Sequence, residues 1–301
     1  MSLAARRSDR STRAALRRVL TAQLRRGLDE ATRADAAPLV HDLRKRIKEL
    51  RGLVRLLRPG LPGAKRMDRR LRDAARGLSG QRDLEVMVSQ FDALTGRLRD
   101  PGRFAGLRMQ IFDEHARRCA TDDSNTLENY VSCFRGLERD LSRLRLERKA
   151  SALLWSGIFS TYASAQALHA EALESFHGAF DAPPFHDLRK RVKQHWYQAR
   201  LLAAIRPGRM QAHIARIDAL GEALGDHNDL DVLMAFLDSR EGLSGEDRAA
   251  REMFRGHLMA RRRDLAARAL SLADRALAQK PEKLVATWRG WWRKWRKRAR
   301  R

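Results

Sequence analysis

One octet occurs twice in this chain. HDLRKRIK begins at His41 and HDLRKRVK begins at His186, 145 residues apart, with seven of eight positions identical. The match continues downstream. HDLRKRIKELRGLVRLLRP is followed by LRDAARGLSGQRDLEVM, and HDLRKRVKQHWYQARLLAAIRP by IDALGEALGDHNDLDVL, so Leu78, Asp83 and Leu84 correspond to Leu224, Asp229 and Leu230 at an offset of 146. One residue of drift is a small loop difference. The chain therefore reads as two tandem copies of one unit, 1–148 and 149–283, followed by a Trp/Arg-rich basic tail over 284–301. The period is too long and the copies too few for a solenoid.

The unit is helical. Apolar residues recur at spacings of three and four, and strand signals are nearly absent. Proline and glycine punctuate the pattern near Pro38, Pro59–Gly63, Pro101–Gly102, Pro183–Pro184, Pro207–Gly208 and Pro281, leaving helix-length intervals. The expected fold is all-α: two tandem pseudo-symmetric four-helix bundles around a pseudo-twofold axis. A content of 43% hydrophobic and 33% charged residues suits a folded chain with a sizeable core.

The charge is strongly one-sided: 62 Lys and Arg against 37 Asp and Glu give +25. Such a field favours polyanions, whether nucleic acid, an anionic membrane or polyphosphate. Lysine occupies only ten positions, and four of them, Lys45, Lys48, Lys190 and Lys193, lie inside the octets. A drift toward arginine would not concentrate lysine there.

On a helix starting at residue 41, His41, Lys45, Lys48, Gly52 and Arg55 share one stripe, with Arg44 and Arg51 at its edge. The stripe runs about 21 Å at 1.5 Å per residue. Leu43, Ile47, Leu50, Val54 and Leu57 face the other way, into a core. The second copy repeats this with His186, Lys190, Lys193, Tyr197 and Arg200, flanked by Arg189, opposite Leu188, Val192 and Leu202. Pro38 and Pro184 place each stripe beside a helix N-terminus, which also favours anions. Each helix carries a net +5 over 41–58 and 186–206. Two such helices repel one another unless an anion lies between them. A solvated helix face is the plain alternative.

Other chemistry is thinly represented. Asp83 and Asp229 have no neighbours at metal-ligand spacing, and pairing with arginine or helix capping is their expected role. Cys119 and Cys133 read as idle thiols of a reducing compartment. The phosphate-loop, zinc-protease, nucleophile-elbow and dinucleotide signatures are missing, so no catalytic residue, metal or cofactor is expected, and binding is expected over turnover. No apolar run reaches the roughly 18 residues of a membrane span. The N-terminus lacks the apolar core of a secretory signal, so a cytoplasmic location is expected.

The doubled H-D-L-R-K-R-x-K motif, paired with a downstream L-G-x-x-x-D-L motif, closely resembles the CHAD domain, the conserved-histidine α-helical domain. The resemblance spans residues 10 to 280. It implies two pseudo-symmetric bundles with a basic central channel or groove, and binding of inorganic polyphosphate. The implied contact set is His41, Arg44, Lys45, Lys48, Arg51 and Arg55 with His186, Arg189, Lys190, Lys193 and Arg200. It further implies association with polyphosphate granules, or with separate polyphosphate-metabolising enzymes, in bacteria. Two departures reduce the symmetry: Trp196 stands where the first copy has Arg51, and LSGQRDL lacks the Leu-Gly pair of LGDHNDL. The E-x-E-x-K signature of the triphosphate-tunnel domain that precedes many family members is missing.

The tail is a separate signal. WRGWWRKWRKRARR holds four of six tryptophans and eight basic residues with no acid. As a helix it places Trp288, Trp291, Trp292 and Trp295 on one face. That face could lie on an anionic membrane, join a polyanion site, or dock on the second bundle. Nucleic-acid or membrane-surface binding through the tail and diffuse charge is the alternative to the channel.

Overall fold

The computed structural model describes residues 3–32, 36–78, 80–120, 125–142, 146, 149–178, 182–241 and 244–297. Among these residues the chain is all-α, as expected. The first repeat supplies α1 (Thr12–Ala31), α2 (Ala36–Leu57), α3 (Ala64–Gly77), α4 (Gly80–Thr95), α5 (Ala105–Ala120) and α6 (Asn125–Ser142). The second supplies α7 (Ala150–His177), α8 (Ala182–Leu201), α9 (Pro207–Asp238) and α10 (Gly245–Ala276), and α11 (Pro281–Lys297) follows.

Local sequence sets the helix ends. Pro207 and Pro281 open α9 and α11 at positions where a missing N–H costs nothing. Ser11 and Ser244 cap α1 and α10, their hydroxyls accepting from Ala14 N and Asp247 N at 3.1 and 3.0 Å. Gly63, at φ 75°, turns the chain from a 3-10 turn (Arg58–Gly60) into α3, a conformation that favours glycine.

Each repeat contributes four rods, but those of the second repeat are unbroken. The 32-residue α9 stands where α3 and α4 stand in the first repeat, and the 32-residue α10 where α5 and α6 stand. The predicted buried faces hold: Leu43, Ile47, Leu50, Val54 and Leu57 on α2, and Leu188, Val192 and Leu202, are all buried.

The hydrophobic cores do not divide one per repeat. The larger core joins α1, α2, α3 and α6 to α7, α8, the start of α9, the end of α10, and α11. A second core joins α4 and α5 to the end of α9 and the start of α10. Phe254 sits at its centre, with ring centroids 4.6 Å from Phe91 and 5.4 Å from Phe104. Helices of both repeats thus share each core, which fixes α2 and α8 relative to one another.

Candidate functional site

α2 and α8 cross with their octet faces toward each other. At the crossing, Gly52 meets Tyr197, its equivalent at the 145-residue offset. A Cβ on Gly52 would lie 3.1 Å from Tyr197 Cδ2, so the absence of a side chain lets the helices approach. Equivalent residues meet only on a symmetry axis, which puts the pseudo-twofold through this contact.

Beside the crossing opens a cleft of about 520 Å³. His41, Arg44, Lys45, Lys48, Arg51 and Arg55 line it from α2; Arg189, Lys190, Lys193, Gln194, Trp196 and Tyr197 line it from α8. Val86 on α4 and Asp229 on α9 also line it. Among the described residues Asp229 is the one carboxylate on that surface, facing eight Arg and Lys side chains and a histidine.

Several of these cations have partners. Arg44 Nη1 donates to the Leu78 carbonyl at 2.9 Å, an oxygen freed where α3 ends. Arg51 and Arg55 both bond Asp68 on α3. Lys190 bonds Asp187 at 2.8 Å, and Lys193 lies 3.6 Å from Asp218. Lys193 also stretches past Gly221, where a Cβ would come within 3.0 Å of its Cε. Two cations flank the Trp196 ring, Arg200 at 4.4 Å and Lys193 at 5.4 Å from its centroid. Two donors in the wall, Arg189 Nε and Trp196 Nε1, find no acceptor among the described residues.

The sequence profile of the CHAD domain matches residues 6–238, more than half of the chain. The chain belongs to the CHAD family. No curated protein sequence matches it significantly. Among solved structures it is similar to PptA from Streptomyces chartreusis, with TM-score 0.62 and 16% identity over 89% of this chain and 98% of that one. It is likewise similar to the CHAD domain from the plant Ricinus communis, with TM-score 0.60 and 18% identity over 90% of this chain and 94% of that one. At such identities the likeness speaks for the shared fold. The CHAD family is polyphosphate-related.

In this CHAD domain nine of the eleven expected contact residues line one cleft; His186 and Arg200 do not. His186 is exposed, its Nδ1 2.6 Å from Asn228 Oδ1 on α9. Arg200 is turned to Glu49 Oε1 at 3.1 Å and stacked on Trp196, so it shapes the wall from behind. Asp229 lines the cleft, while the Asp83 side chain lies outside the described residues. No group of three or more metal-ligating side chains occurs among the described residues.

The Trp/Arg-rich tail docks on the helices of the second repeat, one of the three roles its sequence left open. It forms α11, and Trp288, Trp292 and Trp295 are buried. Trp288 stacks on His195 and meets His213 edge-on; Trp292 meets Trp155 edge-on. Arg296 donates to the Asp9 and Arg10 carbonyls. Trp288 and Trp292 thus pack against α7, α8 and α9, as the docking alternative has it. His195 and His213, which sequence reasoning missed, lie with their Nε2 atoms 2.9 Å apart. Burial lowers the pKa of both, to about 4 for His213, so the pair is neutral at ordinary pH. Cys133 is a buried free thiol whose pKa burial raises, and the Cys119 side chain lies outside the described residues.

Proposed function

We propose that this CHAD protein binds inorganic polyphosphate, without turning it over, in the cleft between α2 and α8. One observation carries the reading: eight Arg and Lys side chains and His41 converge on a single cleft against one carboxylate. Gathering like charges costs energy that a linear polyanion between the walls recovers through charge-assisted hydrogen bonds. The cleft is bounded by packed helices, which suits a slender unbranched chain better than a duplex. Family membership adds weight, because the family is polyphosphate-related. The missing catalytic signatures favour binding over hydrolysis, and action at polyphosphate granules beside separate enzymes follows as part of the proposal.

The test replaces Lys45, Lys48, Lys190 and Lys193 together with alanine. All four line the cleft and leave the cores untouched. Long-chain polyphosphate binding is expected to vanish while far-UV circular dichroism stays unchanged. Unchanged affinity rejects the site. Competition with DNA across a salt series separates this cleft from diffuse surface charge, since diffuse phosphate contacts weaken steeply with salt.

A further inference from the structure

Asp68 sits in the second turn of α3 and approaches the basic cleft from behind α2. Its Oδ1 accepts from Arg51 Nε at 2.8 Å and from Arg55 Nε at 3.2 Å, and its Oδ2 accepts from Arg55 Nη2 at 3.1 Å. Both arginines line the cleft, whereas Asp68 lines a neighbouring cleft of about 1190 Å³ that shares Arg55, Lys190 and Gln194 with the first. A single carboxylate thus engages the donors of two guanidinium groups that face the ligand space.

Burial alone would raise the Asp68 pKa, but the two arginines outweigh it and hold the carboxyl below the usual carboxylate range. The side chains of Arg51, Arg55 and Asp68 are 23%, 32% and 26% exposed. The pairs are only partly buried, so water reaches them and can mediate their exchange. The arrangement is one in which a ligand anion can take the place of the carboxylate.

We propose that Asp68 is a built-in anion that occupies the Arg51–Arg55 pair and is displaced by ligand, so that it selects long polyanions over short ones. The proposal rests on the polyphosphate reading of the cleft. A short anion must compete in free solution with a carboxylate tethered at high effective concentration. A long chain already held on Lys45, Lys48, Lys190 and Lys193 delivers its next phosphoryl group at a comparable effective concentration. Asp68 therefore weighs more heavily against the short ligand.

The experiment titrates tripolyphosphate and long-chain polyphosphate into the full chain and its Asp68→Asn variant by calorimetry. Tripolyphosphate is expected to bind roughly tenfold tighter to the variant, two released arginines each contributing about twofold to fivefold. Long-chain polyphosphate is expected to gain about threefold or less, which narrows the preference. Adding Arg51→Gln and Arg55→Gln is expected to erase both gains, as a coupled set must. Equal or weaker tripolyphosphate binding by Asp68→Asn overturns the proposal, because Asp68 then only positions the arginines. Equal gains for both ligands, or gains that survive without the arginines, overturn it too. Circular dichroism and a melting curve check the fold, and Asp68→Ser replaces Asp68→Asn should the latter not fold. If the wild-type chain fails to bind long-chain polyphosphate, the functional reading falls first, whatever Asp68 does.

Discussion

The walls formed by α2 and α8 come from one duplicated octet, yet the two hold their cations differently. Glu49 on α2 is 1% exposed and grips two arginines, Arg46 at 2.6 Å and Arg200 at 3.1 Å. Its equivalent on α8 is Gln194, which is neutral, so Arg55, the equivalent of Arg200, turns to Asp68. Arg44 finds the Leu78 carbonyl because the helix breaks between α3 and α4. Its counterpart Arg189 passes Gly225 on the unbroken α9, where helix bonds occupy the carbonyls, and its Nε has no acceptor among the described residues. The repeat supplies the charges, and residues outside the repeat pattern decide which of them are available to a ligand.

Transplanting those neighbours breaks the comparison. Glu49→Gln leaves Arg46 and Arg200 with less compensation in a buried setting, and should cost about 3 kcal/mol in urea unfolding; Glu30, 2.9 Å from Arg46, limits the loss. The next effect belongs to the second repeat alone. His195 and His213 stand where the first repeat has the buried apolar residues Leu50 and Met67. A histidine pKa lowered by folding means that the unfolded chain binds the proton better. Stability is therefore full above pH 6.5 and falls as pH drops from 6.5 toward about 4. His213 alone is worth roughly 3 kcal/mol over that window. The double variant His195→Leu, His213→Met should shrink the difference in urea midpoint between pH 7.5 and 5 without abolishing it, because burial also lowers the pKa of His227 to about 4 and that residue remains.

Smaller effects test the cleft. Gln194→Glu gives Arg55 the buried partner that Arg200 enjoys, and should weaken polyphosphate binding by about threefold to tenfold in a titration. The finest contrast is between Lys45→Ala and Lys190→Ala. Lys190 is already bonded to Asp187, whereas Lys45 makes no ion pair among the described residues. The Lys45 variant should lose about twofold more affinity, and equal losses would show that the Asp187 contact does not restrain Lys190.

Much of the fold was legible in the sequence. The proline and glycine breaks marked six of the helix junctions but not those between α3 and α4, α5 and α6, α6 and α7, or α9 and α10, and the three-and-four spacing separated buried from basic faces on α2 and α8. The pooling of the cores was not legible, because helical periodicity reports that a face is buried without naming what covers it. Phe91 and Phe254 lie in different repeats, yet they share one core. The same ambiguity governs α11. Tryptophans at i, i+3, i+4 and i+7 suit a membrane surface or a protein groove equally, and only Trp155, His195 and His213 decide for the groove. Nine of the eleven expected contact residues meet in the cleft because each octet sets its basic residues on one face of its helix and the two faces meet. Their counterions were hidden, since Asp68 reaches Arg51 from a different helix.

The contact of Gly52 with Tyr197 bears on why such a molecule is one chain. A dimer of identical halves must place the same residue on both sides of its axis. Two tyrosines there would collide, and two glycines would leave a hole that no neighbour fills. Fusion lifts that restriction, since a duplicated gene can keep the large residue in one copy and the small one in the other. Once the axis is filled by an unequal pair, neither half can be replaced by a second copy of its sister.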